Sequence, residues 1–183
     1  LIRKDENILF DTGTKVSILR NNMEKMGIRV DEIDKVVLSH EHHDHVGGLD
    51  YLFNEDMEVF VPSKFSRKIK RIIDRNALLS EVSGPQRISE GIYTTGGVKG
   101  RAIEQSLVIE LTEGIAVVTG CAHPGLVNIL EASKRYGDIR AVIGGFHGFD
   151  ELEALDDVEK IVPCHCTEHK NKIKRRYEEK TID

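Results

Sequence analysis

Short apolar runs alternate with amphipathic segments along this chain, the pattern expected where β-strands are followed by helices. In the first third, Ile8–Phe10 and Lys35–Ser39 have the length and apolar content of strands. Between them, Val16–Met26 carries apolar residues at helical spacing, and Gly27 is a suitable residue to end that helix. After the second strand, Val46–Phe53 is expected to form another helix.

The later segments continue this pattern. Lys64–Leu79 is amphipathic and basic, which predicts a helix. Gln105–Leu111 and Ile115–Thr119 are apolar segments on either side of a Thr-Glu-Gly turn, which predicts a hairpin. Because helices and strands alternate again toward the end, the pattern favours β-sheets covered by helices. Further strands are predicted at Glu58–Pro62, Ala141–Gly145 and Lys160–Pro163, and further helices at Leu126–Tyr136 and from His169 onward.

Composition narrows the functional classes. The chain has 183 residues, the size of one domain (1–183), and a formal net charge of −5, which argues against broad nucleic-acid binding. No apolar run reaches the roughly 18 residues of a membrane span, so no membrane partner is expected. The expected partner is a small-molecule substrate, phosphorylated or not. Cys121, Cys164 and Cys166 give no disulfide framework, which favours a cytoplasmic location. Because the first residue is Leu1, we expect the chain to be incomplete at its start.

The candidate chemistry is concentrated in one run, since four of the eight histidines lie between positions 40 and 45. His40 and His42 are two residues apart, so in an extended segment both imidazoles can face one metal ion. Asp44 and His45 follow as the chain turns into the next helix, and they can reach a second ion. Imidazole and carboxylate ligands suit Zn²⁺, and also Mn²⁺ or Fe²⁺. A surface loop that is histidine-rich by chance would not explain why the run directly follows an apolar strand.

The run Ser39–Gly48 resembles the His-x-His-x-Asp-His signature of the metallo-β-lactamase superfamily. Asp11-Thr12-Gly13 resembles the early aspartate motif of that superfamily. Val118–Gly125, Ile143–His147 and Val162–Thr167 resemble one subfamily, described as synthase-like proteins of the methanopterin pathway that act on a dihydropterin and ribofuranosyl-aminobenzene phosphate. The resemblance implies an α+β fold, the αββα sandwich of two β-sheets back to back with helices outside, here without its first N-terminal strand or strands.

The resemblance also implies a set of site residues and two metal ions per chain, zinc being the first expectation. Asp44 and His147 are the predicted catalytic residues. His147 is expected to act on the substrate rather than on the metal, and Asp11 is expected to orient the histidine run through hydrogen bonds. The predicted metal ligands are His40, His42, Asp44, His45, His123 and His165.

Two departures from the superfamily pattern leave alternatives open. Glu104 and its neighbours stand where a ligand histidine often precedes the hairpin, so His123 is the candidate replacement. Cys121 stands where a bridging aspartate often follows the loop glycine, so the bridge is either Cys121 or a water. Cys164 and Cys166 flank His165, and alternation in an extended segment would point both away from it, which predicts packing roles.

Metal sites of this kind lower the pKa of a bound water toward 7 and polarise the bond under attack. The predicted activity is therefore hydrolysis of an ester, thioester, lactam or phosphoester. One alternative is a transferase of pterin biosynthesis that joins a dihydropterin to an aminobenzene phosphate. A second alternative is a metal-stabilised binding module without catalytic activity.

Overall fold

The computed structural model describes residues 1–182 and divides into two compact units, Leu1–Ser83 and Gly84–Asp183, each built on its own β-sheet. The described residues contain eleven strands and five α-helices, which confirms the mixed α+β class. Among them, no helix has both the length and the apolar character that crossing a lipid bilayer would need. The prediction of one domain stays a prediction.

The first unit contains a five-stranded sheet in the order β1-β2-β3-β4-β5. The first pair is antiparallel, and every later pair is parallel. Val36, Leu38, Val59 and Val61 are buried with residues of the connecting helices, as expected for strands covered by helices. The elements are β1 (Ile2–Arg3), β2 (Asn7–Phe10), α1 (Val16–Lys25), β3 (Lys35–Val37), α2 (His43–Val46), β4 (Glu58–Pro62), α3 (Arg67–Asp74) and β5 (Leu78–Val82).

Two predicted helices of this unit have different bounds in the structure. The helix predicted at Val46–Phe53 begins earlier and ends at Val46, and only a 3-10 turn, Leu49–Tyr51, follows. The chain passes close to the 12–14 loop there, since a Cβ on Gly48 would lie 2.2 Å from a backbone oxygen. The helix predicted at Lys64–Leu79 ends at Asp74, because its last two residues pair with β4 as part of β5.

The second unit contains a six-stranded sheet in the order β11-β10-β9-β8-β7-β6. The predicted hairpin is confirmed as the antiparallel pair β8–β9, whereas β9, β10 and β11 are parallel. One core of buried apolar residues runs from Val108 to Tyr177. The elements are β6 (Gln86–Ser89), β7 (Ile92–Thr94), β8 (Leu107–Glu110), β9 (Ile115–Thr119), α4 (Leu126–Ser133), β10 (Ile139–Gly145), β11 (Lys160–Cys164) and α5 (Lys170–Arg176).

Candidate metal centre

In each sheet the predicted site residues follow the carboxyl ends of parallel strands, which meet at one edge of a sheet. In the first unit, Asp11 follows β2 and His40 follows β3. In the second unit, His123, His147 and His165 follow β9, β10 and β11 in turn. The non-glycine residues with positive φ in the described chain are also at these ends: Asp11, Ala122, His147 and His165, with φ between 48° and 58°. Such backbone is sparsely populated by L-residues and is found at functional sites.

Asp11 is the hydrogen-bonding centre of the histidine run in the first unit. Its Oδ1 accepts the backbone N–H of Ser39 at 2.7 Å, and its Oδ2 accepts the Ser39 hydroxyl at 2.7 Å. Oδ2 also lies 2.6 Å from Nδ1 of His45. These three contacts connect one carboxylate to the start of the run and to its last histidine.

The bonds to Ser39 also assign the tautomer of His40. Since the Ser39 hydroxyl donates to Asp11, its oxygen accepts the Nδ1–H of His40 at 2.9 Å. The lone pair of His40 is then on Nε2, which lies 3.0 Å from Nδ1 of His42. Two nitrogens bound tetrahedrally to one zinc ion would be about 3.3 Å apart, given Zn–N bonds of about 2.05 Å. The His40–His42 pair therefore fits a shared metal ion.

A second pair in the same run fits another ion. His45 is buried and donates its Nδ1–H to the carboxylate of Asp11, so its lone pair is on Nε2. That nitrogen lies 3.6 Å from Oδ2 of Asp44, whose side chain is half exposed. A tetrahedral site with one nitrogen and one oxygen ligand would again need about 3.3 Å. The donor set of the run thus suits a divalent ion of borderline hardness.

His123 and His147 come together in the second unit, with ring centroids 5.0 Å apart. Nδ1 of His147 lies 3.4 Å from a carboxylate oxygen of Glu168. Both histidines line an open cavity of about 300 Å³, together with Arg101 and the buried Phe146. The exposed guanidinium of Arg101 forms no hydrogen bond or ion pair with residues 1–182. This cavity combines one guanidinium and two imidazoles with the carboxylates of Asp150 and Glu151, so it offers several polar groups to a small molecule.

The role of Glu104 was not predicted from the sequence. There this residue stands only as a departure from the superfamily pattern, in which a ligand histidine often precedes the hairpin. The side chain of Glu104 is 0% exposed. Oε1 accepts the backbone N–H groups of Gly120, Cys121 and Ala122 at 2.9–3.0 Å, and Oε2 accepts that of His123 at 3.0 Å. The carboxylate therefore holds the whole loop that carries His123. The sequence offered one signal for this role. Glu104 stands directly before an apolar strand, at a position where a buried side chain is expected.

Cys166 lies nearer to His165 than the alternation of an extended segment predicts. Cys121, His165 and Cys166 each offer a ligand atom, and these atoms lie within 4.8 Å of one another. Alternation fails because His165 has a φ of 48°, so the segment is not extended there. A hydrogen bond from Cys121 lowers the pKa of the Cys166 thiol to about 6, whereas burial raises the pKa of Cys164.

Comparison with known proteins agrees with this architecture. Residues 1–59 match the family model described as the metallo-β-lactamase superfamily. A Methanocaldococcus jannaschii protein described as 7,8-dihydropterin-6-methyl-4-(beta-D-ribofuranosyl)-aminobenzene-5'-phosphate synthase is 28% identical over 224 aligned positions, covering 88% of this chain and 76% of that protein. Another protein of that organism, MJ0448, is 27% identical over 206 positions, covering 89% of this chain and 80% of its own length.

Among solved structures, Tm1679 is described as a metal-dependent hydrolase of the β-lactamase superfamily. It matches with a TM-score of 0.81 and 27% identity, covering 97% of this chain and 85% of that one. The chain is thus similar to the metallo-β-lactamase superfamily in sequence over residues 1–59 and in fold over 97% of its length.

Proposed function

We propose that the protein is a metal-dependent hydrolase that uses two divalent ions, zinc in the first place and Mn²⁺ or Fe²⁺ as alternatives. The observation that supports it best is the hydrogen bonding of the histidine run. Ser39 and Asp11 leave the lone pairs of His40 and His45 on Nε2, next to a second donor atom in each case. The proposed ligands are His40, His42, Asp44, His45, His123 and His165.

Ions held by these residues would lower the pKa of a water toward 7 and polarise the bond to be cleaved. The chain's own residues would supply the rest of the chemistry. His147 lines the cavity of the second unit and could donate a proton from its imidazole to the leaving group, because an imidazole can both hold and release a proton. Glu168, 3.4 Å from Nδ1, would orient this ring.

The proposed substrate class rests on Arg101 in the lining of this cavity. Arg101 is its only lining cation, and it forms no ion pair within residues 1–182. A guanidinium in that state suits a phosphate or carboxylate group. The carboxylates of Asp150 and Glu151 also line the cavity, so the remainder of the substrate should carry hydrogen-bond donors. We therefore propose a small phosphoester, ester, thioester or lactam that bears an anionic group.

The test combines metal analysis with a substrate panel. Protein produced with added zinc should contain up to two ions per chain and hydrolyse at least one anionic ester or phosphoester. Activity should disappear on chelation and return when zinc is added back. His42→Ala should lose metal and activity together, whereas Arg101→Gln should retain metal and raise KM. Protein with a folded but metal-free histidine run in zinc-supplemented medium would contradict the proposal.

A second candidate function rests on the similarity to the M. jannaschii synthase. A transferase of this kind would join a dihydropterin diphosphate to an aminobenzene phosphate, and Arg101 would bind a phosphate of either substrate. Labelled pterin diphosphate incubated with the second substrate should then yield the condensed product and diphosphate. Hydrolysis products alone would favour the hydrolase. Full metal loading without turnover in either assay would favour a metal-stabilised binding module.

A further inference from the structure

Two cysteines and a histidine meet at the edge of the sheet of the second unit. Cys121 follows β9, whereas His165 and Cys166 follow β11, and the ligand atoms of the three lie within 4.8 Å of one another. The thiol of Cys166 lies 3.7 Å from the backbone oxygen of Cys121. Cys121 is buried, Cys166 is half-buried and His165 is exposed.

The backbone is shaped to bring these side chains together. His165 is in the left-handed region, with a φ of 48°, and this turns Cys166 inward. Gly145 at the end of the intervening strand β10 leaves the space for the thiol. A Cβ on Gly145 would lie 2.8 Å from Sγ of Cys166 and 3.2 Å from Cα of Cys121. A side chain at that position would clash with the Cys166 thiol and with the backbone oxygen of Gly120, at 2.5 Å.

We propose that Cys166, together with Cys121 and His165, binds one metal ion through two thiolates and one imidazole. The inference rests on the proposed function only because it uses His165 as a metal ligand. It adds sulfur ligands to the site that contains His165. Thiolate ligands favour zinc over manganese or magnesium. Zn–S bonds of about 2.3 Å and Zn–N bonds of about 2.05 Å place tetrahedral ligand atoms about 3.6–3.8 Å apart. This separation is compatible with the three ligand atoms, which lie within 4.8 Å of one another. Three side chains leave a coordination position for another ligand.

Cobalt substitution tests this directly, because thiolates bound to Co²⁺ give a ligand-to-metal charge-transfer band in the near ultraviolet. Metal-free protein, kept reduced, would be titrated with Co²⁺ and then with zinc against a chromophoric chelator. We expect a strong charge-transfer band in the wild type. Cys166→Ser and Cys121→Ser should each lower it to about half, and each should weaken zinc binding by at least ~10-fold, as loss of a ligand costs no less than loss of its support.

Cys164→Ser is the matched control, because Cys164 is exposed and is not in the group. This variant should retain the band and the zinc affinity. A band of full intensity in Cys166→Ser would overturn the inference, as would a cobalt protein without any thiolate band. A disulfide between Cys121 and Cys166 that resists the reductant and is still present after metal loading would overturn it as well.

The outcomes also separate this inference from the proposed function. Zinc-dependent hydrolysis without a thiolate band would support the hydrolase proposal and contradict the proposal that the cysteines are ligands. A thiolate band that responds to both cysteine substitutions, in a protein without turnover on any substrate, would support the cysteine site and count against the hydrolase.

Discussion

Oδ2 of Asp11 lies 2.6 Å from Nδ1 of His45, although 34 residues separate the two in the chain. The same carboxylate accepts both hydrogen-bond donors of Ser39. It therefore fixes the ring of His45 and, through Ser39, the ring of His40. Because Asp11 and Ser39 hold the Nδ1 side of both rings, both histidines present the Nε2 lone pair to a metal ion.

Asp11→Asn should weaken metal binding without unfolding the protein. The carboxylate accepts on both oxygens, whereas the amide has one oxygen and one NH₂ group. With the oxygen toward the backbone N–H of Ser39, the NH₂ group would donate to Nδ1 of His45 and move the His45 proton to Nε2, the nitrogen that should bind the metal. We expect zinc affinity to fall by about 10- to 100-fold, as for other residues that support a metal ligand. Competition with a chromophoric chelator measures this. Asp50→Asn, at an exposed position of the same unit, should retain wild-type affinity. Equal affinity in both variants would show that Asp11 does not orient the ligands.

Glu104→Gln should destabilise the loop that carries His123. The amide retains one oxygen acceptor for the N–H groups of residues 120–122, but its NH₂ group would face the N–H of His123. A buried donor without an acceptor costs about 1–3 kcal/mol. Urea unfolding should show this loss in the free energy of unfolding. Glu113→Gln in the exposed hairpin turn should change stability by no more than about 0.5 kcal/mol.

A purely structural role of Glu104 would leave the metal site unchanged in the folded variant. If the carboxylate positions His123, zinc affinity below the unfolding transition should also fall. Unchanged zinc affinity together with reduced stability would restrict Glu104 to the fold.

His147→Ala should leave metal content near that of the wild type, while turnover falls by roughly 10²-fold, the usual range for loss of a general acid. The reason is that its ring lines the cavity beside His123 and pairs with Glu168. Elemental analysis and initial rates measure the two effects. His169→Ala, at the start of α5, is the control and should have little effect on either. Metal loss in proportion to activity would make His147 a ligand instead.

Tyr177→Phe should reduce stability at neutral pH more than at acidic pH. The buried hydroxyl of Tyr177 lies 2.5 Å from Oδ1 of Asp156, and this hydrogen bond lowers the pKa of the Asp156 carboxyl. A lowered carboxyl pKa stabilises the fold above the unfolded pKa of about 3.9, and this contribution is lost as the pH falls through the folded pKa. The difference in free energy of unfolding between wild type and variant should therefore shrink below about pH 4.

Thermal or urea unfolding at several pH values tests this. Tyr51→Phe is a suitable control, because residues 1–182 provide no hydrogen bond from its hydroxyl to a carboxylate. Its effect on stability should not depend on pH between about 3 and 7. A Tyr177→Phe effect that is constant over this range would contradict the role of Asp156.

The sequence by itself determined the features that depend on neighbouring residues. The strands, the hairpin between β8 and β9, and the spacing of the candidate ligands in the histidine run all follow from patterns of a few residues. For the same reason, the pairing of His40 with His42 and of Asp44 with His45 could be predicted from alternation and from the turn into a helix.

Only the tertiary structure decided the contacts between distant segments. Glu104 meets Gly120 and His123 across 16 and 19 residues, and Cys166 meets Cys121 across 45. The prediction that Cys166 points away from His165 was wrong because it assumed an extended backbone, and the left-handed conformation of His165 reverses the direction of the next side chain. Helix ends at α2 and α3 were also decided by packing and strand pairing, since local propensity is weaker than the contacts that a folded chain forms.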